Sequence, residues 1–357
     1  RDMAVLYMAI NRNKRSIALD LKADSAKAVM RKLIASADAF ITNTRPQAMA
    51  RLGLDYESAR ALRSDLVYVH LTGFGAGGAY AGRQAYDDLV QAASGMADLQ
   101  PKASGGGEPR FLPTLVADKT TALHAVYALT AALLHRERTG EGQFVEVPML
   151  ESVTSFLLVE HLYGHVHQPP TGQFGYTRVL TPNRRPFKTQ DGYIAIMPYT
   201  DQHWPRFFEV AGRAELWVRW RNTSRQDRSK RIDELYGMIA EVTLSRTTAD
   251  WMALLDRHDI PCMRVNRLED LEHDEHLGAS GFFEPREHPS EQGYVTLQHP
   301  VRFSGCDTAF RFHPPRLGAD GREVLAEIGL GADDIEALLG EGALVLPEAS
   351  SEPGENP

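Results

Sequence analysis

The chain has 357 residues, 43% of them hydrophobic, and a formal net charge of -8 with acidic and basic residues interspersed. That length allows about two domains with a large core, and the dispersed negative charge excludes a general nucleic-acid surface, so an anionic ligand needs a local basic site. The two cysteines, Cys262 and Cys306, lie far apart and outside any C-x-x-C pattern, which argues against a disulfide framework or a structural zinc site and fits a reducing cytoplasm. No apolar run approaches the roughly 18 residues of a membrane span, and the first basic cluster follows the first apolar run, the reverse of a signal peptide.

Asn11-Arg12-Asn13-Lys14-Arg15 is a basic cluster that can be a solvated turn or can hold a phosphate. Residues 16–21 carry a strand signal, Asp24-Ser25 opens a helix with Ala28, Val29, Leu33 and Ile34 inward, and residues 39–42 form the next strand, a β-α-β unit. Asn43-Thr44-Arg45-Pro46 follows at the carboxyl end of that strand, where ligands gather in open α/β sheets, and Pro46 starts a helix that shows Arg51. A helix over 56–62 and a strand over 66–71 continue the alternation, from which a doubly wound, mainly parallel sheet is inferred.

Gly73-Phe74-Gly75-Ala76-Gly77-Gly78 satisfies G-x-G-x-x-G, but no helix follows at once and no acidic residue ends the next strand. The dinucleotide reading requires both, so the glycines are read as a flexible or backbone-exposing loop before a helix over 86–96. Ser104-Gly105-Gly106-Gly107 is a second loose loop.

Residues 112–117 are apolar, and Asp118 stands between them and a helix carrying Ala122, Leu123, Val126, Leu129, Leu133 and Leu134 at helical spacing. At a helix entrance, unpaired N–H groups and the positive end of the helix dipole hold a carboxylate ionised. Asp118 is therefore either a helix N-cap or a carboxylate nucleophile toward an activated carbonyl.

A helix over 152–163 precedes a Gly/Pro-rich stretch. His161, His165 and His167 have no H-E-x-x-H pattern or Cys partner, so no metal is expected there. Beyond Phe187, strands are expected over 193–197, 260–265 and 293–297 and helices over 202–212, 232–242 and 249–258, with Trp204, Phe207 and Phe208 as core. Two helices over 321–339 precede a Pro/Glu/Ser-rich tail, 345–357, expected to be disordered. The expected plan is a large domain over 1–163, a linker over 164–186, a small domain over 187–299, a linker over 300–318, helices over 319–344 returning to the large domain, and the tail.

In order along the chain, the run from Asn11 to Leu21, Asn43-Thr44-Arg45-Pro46, Gly73-Phe74-Gly75, Ala85-Tyr86-Asp87, Gln91-Ala92-Ala93-Ser94-Gly95, Arg138-Thr139-Gly140-Glu141-Gly142-Gln143 and Thr189-Gln190-Asp191-Gly192-Tyr193 resemble the family III CoA-transferases, which have the α-methylacyl-CoA racemases as a branch. The resemblance covers nearly the whole chain. It implies an α/β fold, a Rossmann-like doubly wound large domain plus a smaller α+β domain, in an interlocked homodimer. The implied activity moves CoA from an acyl-CoA donor to a carboxylic acid acceptor, with coenzyme A thioesters as substrates and no tightly bound cofactor.

The resemblance further implies that Asp118 attacks the donor thioester, giving an aspartyl acyl anhydride and then an aspartyl-CoA thioester. Tyr86 and Asp87 match positions close to the reacting acyl group. Leu19, Lys22, Asn43, Thr44, Arg51 and Gln84 match CoA contacts, with Lys22 and Arg51 suited to phosphates. Gln84 departs from the basic residue that can stand at its position, and Arg83 can supply the charge instead. The racemase branch uses a His where this chain has Tyr86, and a Tyr with pKa about 10 is a poorer base at neutral pH than a His at about 6.5, so transfer is preferred over racemisation.

The family has a strand and helix ahead of the basic cluster, and this chain begins close to that cluster. It is then either a fragment or a protein lacking that unit, which would leave an open sheet edge. A racemase and a noncatalytic CoA-binding relative are the other two classes of function. Tyr176, Arg178 and Arg184, in the 164–186 stretch, hint at a carboxylate-bearing substrate.

Overall fold

The computed structural model describes residues 3–348. The chain divides into two compact units, one made of residues up to 70, 128–145 and from 268 onward, the other of 71–127 and 146–267. Among the described residues ten strands follow one another: β1 (Ala18–Leu19), β2 (Ala39–Thr42), β3 (Val67–Thr72), β4 (Gln143–Pro148), β5 (Phe187–Lys188), β6 (Tyr193–Ile196), β7 (Cys262–Arg264), β8 (Phe283–His288), β9 (Gln292–Leu297) and β10 (Leu344–Val345).

In the first unit, β2 and β3 run parallel, with Ala39 opposite Val67 and Thr42 opposite His70, and β4 completes a sheet of order β2-β3-β4. The helix between β1 and β2, Asp24–Ser36, turns Ala26, Val29 and Ile34 inward. The structure corrects the expected pairing of the 16–21 strand. Only Ala18–Leu19 is extended there, and it pairs antiparallel with β10, Ala18 opposite Val345 and Leu19 opposite Leu344. The partner is supplied by the far end of the chain because Leu344 is 2% exposed and belongs to one apolar cluster with Ala26, Val29, Leu325, Ile335 and Leu338. Val345, assigned to the tail from composition, is thus in a strand, and residues 349–357 of that tail lie outside the described residues.

The first unit also holds the β8-β9 hairpin, in which Pro285 faces Val295. β8 is not among the strands expected from the sequence; it contains Pro285, which a two-stranded ribbon accepts because one edge of each strand is left unpaired.

The second unit is built on aromatic packing. Helix His203–Val210 buries Trp204, Phe207 and Phe208 against Trp217, Trp220, Tyr236, Ile239 and Trp251. The Phe207 and Trp251 rings stack at 6.0 Å, and the Trp251 indole donates to the Thr243 carbonyl at 2.8 Å, so the polar edge of this buried ring is satisfied. β5, β6 and β7 form an antiparallel sheet beside this core, ordered β5-β6-β7.

Candidate active site

The helix bearing Asp118 begins earlier than its apolar spacing indicates, at Val116, and runs to Thr139. Asp118 is therefore the third helical residue and not the N-cap. Its helix end is capped from elsewhere: Asp87, 6% exposed at the start of helix Asp87–Ala93, accepts the N–H of Ala117 at 2.8 Å and of Asp118 at 3.0 Å on one carboxylate oxygen. One turn on, the fully buried Gln91 donates to the other Asp87 oxygen at 2.6 Å and accepts the Leu112 N–H at 2.8 Å. An Asp and a Gln at i and i+4 share a helix face, and here they fasten the 112–118 segment at both ends.

Because Asp87 consumes the N–H groups, the Asp118 carboxylate is left for other work. It is exposed, and among the described residues it makes no hydrogen bond. Its pKa is raised above the ordinary carboxylate value, first by partial desolvation and then by the neighbouring Asp87 charge. The helix end does not lower the Asp118 pKa as its position suggests, because the favourable end is occupied by a second carboxylate. Tyr86, immediately before Asp87, is 65% exposed and its hydroxyl caps nothing.

The glycine loop after β3 is pinned by two carboxylates. Glu151 accepts the Gly75 N–H at 3.0 Å, and Glu146 accepts the Ala76 N–H at 3.0 Å. A Cβ at Gly75 would lie 2.6 Å from Glu151 Oε1, and one at Gly73 would collide with the Ala85 Cβ. Glycine is demanded at Gly73, where Ala85 Cβ leaves no room, whereas at Gly75 the obstacle is the movable end of Glu151, and the carboxylates at the loop amides oppose a bound phosphate.

The other candidates are placed as follows. Lys22, Asn43, Thr44 and Arg51 are exposed in the first unit, and neither Lys22 nor Arg51 forms an ion pair among the described residues. Thr44 is held just beyond β2 by its N–H on Thr42 Oγ1 at 3.1 Å and its carbonyl against His70 Nε2 at 2.7 Å. Leu19 is half-buried and packs in the cluster of Ala26 and Leu325. Gln84 is exposed in the second unit, with the Arg83 guanidinium 4.7 Å from the Tyr80 ring centroid. His161 accepts the Tyr176 N–H at 3.2 Å and His165 stacks on Phe174 at 3.9 Å. Sequence reasoning missed Gln91, Glu146 and Glu151; only Gln91 carried a signal, its spacing of four from Asp87.

The chain is a mixed helix and sheet protein in which an exposed acidic residue stands at a helix start capped from another helix. Residues 1–321 match CoA-transferase family III, and the chain belongs to that family. It is 30% identical to a succinate–glutarate CoA-transferase of Agrobacterium fabrum over 91% of this chain and 81% of the relative. It is 28% identical to a formyl-CoA:oxalate CoA-transferase of Shigella sonnei over 94% of this chain and 85% of that one. A solved CaiB/BaiF family protein from Brucella suis is similar in structure, with TM-score 0.75 and 28% identity over 91% of this chain and 84% of that chain.

Proposed function

We propose that the protein moves CoA between carboxylic acids with Asp118 as the nucleophile. The observation that carries this reading is the exposed Asp118 carboxylate, without a hydrogen bond among the described residues because Asp87 caps the helix in its place. Desolvation that raises a carboxylate's pKa also raises its basicity, and nucleophilicity follows basicity.

An Asp118 oxygen attacks the thioester carbonyl carbon, the C–S bond breaks, and CoA leaves as thiolate with an acyl anhydride behind. The thiolate attacks the Asp118 carbonyl carbon and releases the donor acid as carboxylate. The acceptor carboxylate then opens the aspartyl-CoA thioester to a second anhydride, and the returning thiolate takes its acyl group and restores Asp118. Asp87 and Gln91 act as positioning residues, and Tyr86 lies beside them on the chain, close to the acyl group.

Lys22 and Arg51, exposed without ion-pair partners, suit the CoA phosphates, with Leu19, Asn43, Thr44 and Gln84 as further CoA contacts. The named relatives handle succinate, glutarate and oxalate, so small dicarboxylates are the first acids to test. For the domains we propose residues 1–163 with 319–344 as the CoA-binding, doubly wound part; the cluster of Ala26 with Leu325 and Leu338 supports the return of the last helices to its N-terminal segment. Residues 187–299 are the smaller domain of this plan, with 164–186 and 300–318 as linkers; the compact units differ from it in joining 71–127 and 146–163 to 187–267, and 268–299 to the first part of the chain. An interlocked homodimer is supported by apolar side chains left uncovered on helix Val116–Thr139: Leu123 is 70% exposed and Tyr127 61%. A cytoplasmic setting is in keeping with the two free cysteines.

The test is covalent trapping. Incubation with acyl-CoA and hydroxylamine should leave a hydroxamate on Asp118, borohydride should reduce that side chain to an alcohol, and Asp118→Asn should lose transfer by about a thousandfold or more. An adduct on Asp87 or Asp88, or an active Asp118→Asn enzyme, overturns the assignment.

A further inference from the structure

The basic cluster at Asn11–Arg15 is not accounted for by acyl transfer. Its turn is rigid: Asn13, in the left-handed region at φ 60°, accepts the Arg311 N–H at 2.6 Å and the Phe312 N–H at 3.1 Å on its carboxamide oxygen and donates to the Ala309 carbonyl at 3.2 Å. Arg12 reaches the Leu297 carbonyl and Thr296 Oγ1. These bonds close one side of a cavity of about 670 Å3 whose wall carries four arginines, Arg12, Arg286, Arg302 and Arg311, and two carboxylates, Glu284 and Asp307. All of these residues belong to the first unit.

The charges do not cancel. Glu284 is spent on Arg286, whose guanidinium also lies 3.7 Å from the Phe310 ring centroid. Arg302 and Arg311 form no ion pair among the described residues, and they come from segments separate from Arg12. In a chain of net charge -8, this is a local inversion of sign inside a concavity. Three arginines on one cavity wall, Arg12, Arg302 and Arg311, suit a phosphate group with three terminal oxygens, each guanidinium able to supply paired N–H donors. The volume falls in the range of about 300–1,000 Å3 usual for small-molecule sites and exceeds what an inorganic ion fills. Arg302, Gln298 and His299 also line an adjoining cavity of about 590 Å3 floored by Leu277 and Phe282, room for a less polar extension of the same ligand.

We propose that this cavity binds a phosphate-bearing small molecule, its phosphate taken by Arg12, Arg302 and Arg311. Two sources share that chemistry, a nucleotide and free inorganic phosphate. The test is calorimetry on the full chain carrying Lys22→Ala/Arg51→Ala, which removes the phosphate contacts proposed for CoA, with inorganic phosphate and with adenosine 3′,5′-bisphosphate at fixed ionic strength. At least one should bind with Kd below about 1 mM, and Arg302→Ala/Arg311→Ala should weaken it fivefold or more, while Arg302→Lys/Arg311→Lys, which keeps charge without the fork, should fall between. Tighter binding of the bisphosphate identifies a nucleotide, and equal binding identifies the phosphate group alone. No binding by that chain, or less than fivefold weakening when Arg302→Ala/Arg311→Ala is added to it with the wild-type circular dichroism kept, overturns the site. Because binding is read without turnover, failure of the transfer mechanism would leave the outcome intact.

Discussion

Two helices with apolar residues at helical spacing meet different fates in this protein. On His203–Val210, Trp204, Phe207 and Phe208 are 5%, 0% and 0% exposed, whereas on Val116–Thr139 Leu123, Val126 and Leu134 are 70%, 61% and 49% exposed. The spacing is alike, and the difference is what lies opposite. The first helix finds Trp217, Tyr236 and Trp251 within its own unit. The second buries Ala117, Thr120 and Thr121 near its start, where Asp87 caps the end, and Ala132 further on, and leaves Leu123 and Leu134 exposed. Periodicity identifies side chains that need a cover; it does not say whether the same chain provides it.

The sharpest way to test the closed half of this comparison is Trp251→Ala. The ring is fully buried and its indole N–H satisfies the Thr243 carbonyl, so the substitution should cost about 3–5 kcal/mol of stability in urea unfolding. A loss below about 1 kcal/mol would show that the aromatic cluster does not act as one packed unit.

Next in size is the anchored start of the long helix. Asp87→Ala leaves the N–H groups of Ala117 and Asp118 and the Gln91 amide without their acceptor, at a cost of about 1–3 kcal/mol. Asp87→Asn keeps an acceptor oxygen and should recover most of that stability. Turnover should fall further in the Ala variant than in the Asn variant. Equal turnover in both would separate capping from the placement of Asp118.

The elements were largely legible from local pattern. Ala39–Thr42, the helix opened by Asp24, the Pro46 helix start and the aromatic helix all stand where residue spacing puts them. What was not legible depends on distant partners. Nothing near Ala18 announces Leu344–Val345, 326 or so residues away, as its pairing strand. The roles of Asp87 and Gln91 likewise depend on amides 21 to 31 positions later in the chain. For Asp118 the sequence left cap and nucleophile both open, because only the position of Asp87 decides which carboxylate takes the helix end. The early start of that helix at Val116 was missed for the same reason.

The open half of the comparison predicts a small effect on the fold and a large one on association. Leu123→Glu/Leu134→Glu places charge on side chains already exposed, which should alter the stability of the isolated chain by no more than about 0.5 kcal/mol per site. Light scattering should nevertheless read a monomer for the variant and a dimer for the wild type. A monomeric wild type, or a variant that still pairs, would remove the long helix from the interface.

The smallest effect is a pH-dependent one at Asp118, and its sign is opposite to that at Asp55 and Asp233. Asp55 and Asp233 are lowered, Asp55 chiefly by the Ser58 N–H and Asp233 chiefly by the Thr181 hydroxyl, so each adds stability above its unfolded pKa that is lost as pH falls. Asp118 is raised, so between its unfolded and folded values the native state holds more protons than the unfolded one, and stability falls as pH rises through that window. Asp118→Asn cannot ionise and should escape this loss. The difference in Tm between variant and wild type should be flat below about pH 3 and grow in favour of Asn from about pH 4 upward, as the unfolded carboxyl ionises. A difference that moves the other way would mean that Asp118 is held ionised by the helix end after all, and that Asp87 does not displace it from that role.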